Sequence, residues 1–148
     1  MWFFSDEHRM LQETVRQFAR VELQPKIEQL DHEEGFNRDA FLKLGKLGVL
    51  GILVPEEDGG AGLDVVAATI AMEEIGAVDA STCLSYLAHS ILCVNQIGRN
   101  GSAAQKKKYL PKLLSGEWIG GMGMSEPEAG SDALGMKTKA TLKGPAYT

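Results

Sequence analysis

The sequence is poor in the residues that make metal sites and cross-links. Its 148 residues include two cysteines and three histidines. Cys83 and Cys93 lie inside an apolar periodic stretch with no His or Cys partner at ligand spacing, so they read as buried thiols of a reducing compartment. His8, His32 and His89 are far apart, and no metal is expected. A basic surplus is also missing: 15 Lys+Arg stand against 20 Asp+Glu, a net charge of -5, so neither nucleic acid nor a membrane is an expected partner. A pocket can still hold a phosphorylated ligand through a few local donors. There is no long apolar run. Leu47 to Val54 is interrupted by Gly48 and Gly51 and falls far short of the ~20 residues of a membrane span. Met1-Trp2-Phe3-Phe4 runs straight into Ser5-Asp6-Glu7 without a basic n-region or Arg-rich leader, so no targeting signal is expected. Two phosphate-loop patterns fail as well. No helix pattern follows Gly120, Gly121 and Gly123 at dinucleotide spacing, and Gly45-Lys46-Leu47 lacks the flanking residues of a P-loop.

What is present is helical patterning. With 44% hydrophobic and 24% charged residues, the chain can bury one core. Leu11, Val15, Phe18, Ala19 and Leu23 recur at three- and four-residue steps behind a Ser5 cap, predicting an amphipathic helix that Pro25 breaks or restarts. Asn37 is a cap for a second helix carrying Phe41, Leu42 and Leu44, which gives out at Gly45, Gly48 and Gly51. Pro55 to Gly62 reads as a loop, and Asp64 caps a third helix to about Ile75. Asp79 or Ser81 opens a long helix through Leu84, Leu87, Ala88, Ile91, Val94 and Ile97, apolar on more than one face and so expected at the centre of a bundle. Ser102 caps a last helix, Ala103 to Leu114, with Lys106, Lys107 and Lys108 outward and Tyr109, Leu110 and Leu113 inward. His89 on the central helix reads as a core histidine with one satisfied hydrogen bond rather than a catalytic base.

Beyond Gly116 the character changes. Trp118 to Ser125 is short and glycine-rich, and Lys137 to Leu142 alternates as a strand does. A helical part thus gives way to a β part with too few residues for a sheet of its own, and the chain is expected to stop in mid-domain. The informative segment runs from Met122 to Asp132, a strand entering an irregular loop. Pro127 fixes φ, Gly130 permits a turn, and Ser125, Ser131 and Asp132 place polar side chains beside backbone N–H groups. Such a loop suits a polar, anionic or heteroaromatic ligand, and an ordinary capped turn is the plain alternative.

Met124-Ser125-Glu126-Pro127, a variable pair and Gly130-Ser131-Asp132 resemble the signature that opens the β-domain of acyl-CoA dehydrogenases. Further landmarks follow the family order: Leu47-Gly48-Val49-Leu50-Gly51-Ile52 with Val54-Pro55-Glu56-Glu57, then Gly59-Gly60-Ala61-Gly62-Leu63, Met72-Glu73-Glu74-Ile75, and Tyr109-Leu110-Pro111-Lys112-Leu113. Within the family, Leu84-Ser85-Tyr86, Ala88-His89-Ser90 and Asn95-Gln96-Ile97 are most similar to isovaleryl-CoA dehydrogenases. Glu128 sits at a variable place, Gly123 stands where a larger apolar residue is common, and Pro145 replaces a polar turn residue.

The resemblance implies a mainly α fold: a helical bundle over 1–117, then the first strands of a truncated β-domain over 118–148. It implies FAD as cofactor, with Met122, Gly123, Met124, Ser125, Glu126, Pro127, Glu128, Ala129, Gly130 and Ser131 lining it. It implies an acyl-CoA substrate, with Ser131 on the CoA part and Leu84 and Ala88, at i and i+4, flooring the acyl pocket. The implied reaction is α,β-dehydrogenation of a short or branched acyl-CoA in fatty-acid or branched-chain amino-acid catabolism, with electrons passed to electron-transfer flavoprotein. Also implied are a homotetramer and a location in the cytoplasm of a bacterium or the mitochondrial matrix of a eukaryote. No catalytic residue is expected in the chain, since the family's glutamate base belongs to a C-terminal helical domain; Glu126 is expected to fix the turn. A non-catalytic helical assembly module and an acyl-CoA oxidase are the alternatives.

Overall fold

The computed structural model describes residues 4–148, so the reading of Met1-Trp2-Phe3 falls outside the described residues. The helices are α1 (Asp6–Phe18), α2 (Ile27–His32), α3 (Arg38–Lys46), α4 (Val65–Gly76), α5 (Ala80–Tyr86), α6 (Asn95–Asn100) and α7 (Ala103–Leu114). A hairpin of β1 (Leu142–Lys143) and β2 (Ala146–Tyr147) follows.

The helix starts are those the polar residues announce. Asn37, Asp64, Asp79 and Ser102 each accept a first-turn backbone N–H, satisfying donors that have no partner inside the helix. At Ser5 the hydroxyl accepts the His8 amide at 3.1 Å while His8 Nδ1 accepts the Ser5 amide at 3.3 Å. His8 thus takes the place of the acidic member of a capping box.

Pro25 starts a new turn, as expected, and does not end the helical path. The chain widens into a π-helical turn at Ala19–Leu23, tightens into a 3-10 turn at Gln24–Lys26 that holds Pro25, and continues as α2. The widened turn moves carbonyls away from a ring that cannot donate to them. Nor does α3 stop at its first glycine. A Cβ at Gly45 would lie 2.3 Å from the Ser115 carbonyl oxygen, so the missing side chain lets the end of α7 lie against α3. The central helix is α5 and α6 joined without a break by a π-helical stretch, Leu87–Val94.

One cluster joins Val15 and Phe18 of α1, Ala67, Ala71 and Ile75 of α4, Phe41 and Leu44 of α3, and Tyr86 of α5. A smaller one gathers Val54, Val94, Leu110 and Leu113 beneath α7. Removal of this apolar surface from water drives the packing, and polar ties fix its register. Tyr86 Oη donates to the Val49 carbonyl at 3.0 Å. The lysine run is not wholly a solvated face, because Lys106 Nζ donates to Asp58 at 2.7 Å and ties α7 to the Glu56–Asp58 turn.

The β part is smaller than its alternation predicts. Neither Lys137–Thr141 nor Trp118–Ser125 forms a strand, and only β1 pairs with β2, Leu142 opposite Tyr147 and Lys143 opposite Ala146. An extended segment becomes a strand only when a neighbour takes its backbone groups, and of Lys137–Thr141 only Thr141 has one, exchanging backbone hydrogen bonds with Thr148 at 2.9 and 3.0 Å. Gly144, at φ +62, precedes Pro145 in the two-residue turn. That order suits a hairpin, since the first position needs the positive φ and Pro supplies the negative one.

Glu74, 8% exposed, is the acidic group set deepest between α1 and α4. Arg16 donates to it from Nη2 at 2.7 Å and from Nε at 2.9 Å, and Gln12 at 2.9 Å. The Arg16 hydrogen bond, followed by that of Gln12 and the Arg16 charge, holds this carboxyl below its ordinary value against the opposing effect of burial. Glu74→Ala is expected to lower unfolding free energy by about 1–2 kcal/mol at neutral pH, a figure reduced because Arg16 is partly solvated. A carboxyl depressed in the folded state stabilises above its unfolded pKa and loses that contribution as pH falls. Urea midpoints of the two proteins should therefore differ fully at pH 7 and converge as pH drops below the ordinary 4.5.

Candidate functional site

The glycine-rich segment begins where α7 ends. Gly116 turns the chain at φ +74, and a Cβ there would meet the Phe41 carbonyl oxygen at 2.4 Å. Arg38, the first residue of α3, donates through Nη1 to the Gly116 carbonyl and through Nη2 to that of Glu117. Trp118 returns its amide to the Lys112 carbonyl at 2.9 Å, and Lys112 Nζ sits 4.8 Å from the Trp118 ring centre, a cation over an aromatic face. Two residues on, the Gly120 amide donates to His89 Nδ1 at 2.9 Å, and His89 Nε2 lies 3.1 Å from the Leu113 carbonyl. His89 is fully buried, edge-on to Phe41. It is a core histidine as expected, with two satisfied nitrogens rather than one.

From Gly121 to Ser125 the chain is exposed, and the amides of Met122 to Ser125 donate to no other described residue. Met122 and Met124 are exposed beside it. The following turn closes on itself: Glu126 N–H donates to the Ala129 carbonyl at 3.0 Å and Ala129 N–H to the Glu126 carbonyl at 3.2 Å, with Pro127 and Glu128 at the tip. Ala129 is buried, while Ser125, Gly130 and Ser131 face solvent. Glu126 does the structural work assigned to it. Its carboxylate accepts the Lys137 amide at 2.7 Å and the Thr138 amide at 3.0 Å. Hydrogen bonds from Thr138 and Lys137 hold this carboxyl below the usual carboxylate range. Glu128 pairs with Lys137.

Leu84 is 67% exposed on α5 and Ala88 half-buried at the start of the π-helical stretch, so this face of the central helix is open rather than packed core. The link from these residues to Met122–Ser131 runs through the helix itself: His89, next to Ala88, holds Gly120, two residues before Met122. Enclosed space lies elsewhere. A groove of about 580 Å³ is lined by Arg16, Arg20, Glu73 and Val78, and one of about 280 Å³ by Leu30, Phe36, Asn37, Asp79, Thr82 and Ser85. Neither includes a residue of Met122–Ser131.

Among the described residues no three His, Cys, Asp or Glu side chains are grouped to hold a metal ion. Both cysteines are free and half-buried rather than buried, and burial pushes each thiol up, away from the reactive thiolate. The Arg38 clamp is the contact that sequence reading missed. Next to the Asn37 cap it looks like an ordinary first-turn residue, and its target, a pair of carbonyls more than seventy positions away, carries no side-chain signal.

A helical bundle that hands the chain to an open, donor-rich loop defines the class, and the comparisons agree. The acyl-CoA dehydrogenase N-terminal domain matches residues 5–117, and the chain belongs to the acyl-CoA dehydrogenase family. It is 50% identical over 145 residues to the mitochondrial isovaleryl-CoA dehydrogenase of Pongo abelii, covering 97% of this chain and 34% of that protein. Among solved structures, a glutaryl-coenzyme A dehydrogenase in complex with glutaryl-CoA superposes with TM-score 0.89 at 39% identity, over 97% of this chain and 37% of that one. An acyl-CoA dehydrogenase complexed with FAD from Bacillus anthracis gives TM-score 0.83 at 39% identity, over 93% and 24%. The chain spans about a third of the length of the curated relatives it matches.

Glu126→Ala should leave the amides of Lys137 and Thr138 without an acceptor. Hydrogen exchange at those two positions is expected to quicken, while the amides of α1 and α4 keep their rates.

Proposed function

We propose that the protein carrying this chain catalyses FAD-dependent α,β-dehydrogenation of a short or branched-chain acyl-CoA of the isovaleryl type, giving the 2-enoyl-CoA and passing electrons to electron-transfer flavoprotein. The observation that carries this reading is the run Met122–Ser125, whose amides are free within the described chain and end at an exposed hydroxyl. Amides of an extended segment point alternately to its two edges, so one edge can join a sheet while the other offers donors to a ligand.

In this reading Met122, Gly123, Met124, Ser125, Glu126, Pro127, Glu128, Ala129, Gly130 and Ser131 line the flavin, and Ser131 also reaches the CoA part of the substrate. FAD, when bound, supplies the two-electron acceptor. The chain supplies fixed N–H and O–H donors where negative charge grows, and such donors need no reorganisation as the reaction proceeds. The Glu126 carboxylate holds the loop in shape and takes no proton from substrate; the α-proton goes to a carboxylate outside these residues. Leu84 and Ala88 floor the acyl pocket, the small Ala leaving room for a branched chain. Residues 1–117 form the helical domain and 118–148 the opening of a β-domain, in a homotetramer. The mitochondrial and bacterial relatives fit a matrix or cytoplasmic enzyme.

The purified protein should be yellow with FAD and should turn over isovaleryl-CoA faster than butyryl-CoA or octanoyl-CoA. Ala88→Leu should cut kcat/KM for the branched substrate by about 10–200-fold, the worth of one or two misplaced methylenes, and butyryl-CoA by less. A protein that stays colourless with added FAD would point to an assembly module, and consumption of dioxygen would point to an oxidase.

A further inference from the structure

We infer that His89 is a positioning residue: in the neutral form that carries its proton on Nε2, it pins Gly120 to the central helix and so sets where the segment Gly121–Ser131 starts. The geometry fixes the tautomer. A backbone amide can only donate, so Nδ1, 2.9 Å from the Gly120 nitrogen, is an unprotonated acceptor, and Nε2, 3.1 Å from the Leu113 carbonyl, carries the hydrogen. One ring thus bridges the last turn of α7 and the start of the glycine-rich segment. Two further constraints converge there. Arg38 grips the carbonyls of Gly116 and Glu117, and Gly120 lies so close to the helix that a Cβ on it would sit 2.4 Å from Cys93 Sγ.

Protonation would turn Nδ1 into a donor facing a donor, and the pin to Gly120 would fail while the bond to Leu113 remained. The groups around the ring resist that change. Burial is the largest influence, and the Arg38 guanidinium from α3 adds positive charge, both opposing a second proton; the Leu113 carbonyl from α7 works the other way. Phe41 from α3 contributes only an apolar edge, and on the helix of His89 itself the titratable groups one turn away are Tyr86, fully buried, and Cys93, whose thiol lies against Gly120. The segment is therefore held at neutral pH and released only below the ordinary histidine range. Its consequence for the flavin rests on the function proposed above; the pin itself does not.

The test is made on this chain by ¹⁵N NMR, without flavin. The His89 ring should show an unprotonated Nδ1 and a protonated Nε2 at pH 7.5, and the Gly120 amide should be protected from exchange until the ring titrates below the ordinary histidine value. Two variants divide the ring's roles. Asn places an oxygen where Nδ1 was, so His89→Asn should keep Gly120 protected; Gln places a donor near Nε2, so His89→Gln should raise Gly120 exchange at least tenfold. A protonated Nδ1 in the wild-type ring, or equal Gly120 exchange in the two variants, would overturn the assignment. If neither variant folds, the wild-type ring spectrum decides. A colourless protein with Gly120 pinned would defeat the flavin reading alone, and a yellow one with the other tautomer would defeat the pin alone.

Discussion

The end of α7 lies unusually close to α3 and to the π-helical stretch, and that approach decides where everything after residue 116 begins. It exists because side chains are absent where backbones meet, at Gly45 against Ser115 and at Gly116 against Phe41. Two polar side chains then hold it. Arg38 takes the carbonyls at the turn and His89 takes one carbonyl and one amide. Backbone groups leaving a helix end must find partners or stay wet, and here the bundle supplies them from its interior. A loop that leads out of so fixed a point inherits its direction from the core.

The chain divides its polar groups accordingly. Inside the bundle the charged pair Arg16–Glu74 is matched by geometry and supported by Gln12, so its burial is tolerable. Toward the loop the opposite holds: Glu126 uses its carboxylate on Lys137 and Thr138 to shape the turn, while Met122–Ser125 keep their donors unspent. Rigid support beneath open donors is the arrangement a binding segment needs, since bonds made to a ligand then cost little further ordering.

Much of the fold was readable along the chain because its signals are local. Ser5, Asn37, Asp64, Asp79 and Ser102 marked helix starts, and apolar residues at helical spacing marked the faces that Val15, Phe41 and Leu113 bury. Where reading went astray, a neighbour distant in sequence had intervened. Gly45 stayed helical to admit α7, and Lys106 found Asp58. The alternation of Lys137–Leu142 produced a strand only at its last residue, because a strand also requires a partner. The site followed the same division. The Ser125–Asp132 loop stood out by its residue types and Glu126 as its brace, whereas Arg38 gave no sign of its role.

The sequence by itself determined the helices, their caps, the turn chemistry of the candidate loop and the family, because each rests on residues a few positions apart. Only the tertiary structure decided that His89 touches both Leu113 and Gly120, that Arg38 closes the turn at Gly116, and that Leu84 stays open rather than buried. Those outcomes depend on which surfaces meet after the chain has folded back on itself, and a side chain's contact with backbone atoms twenty to eighty residues away leaves no pattern in the order of side chains.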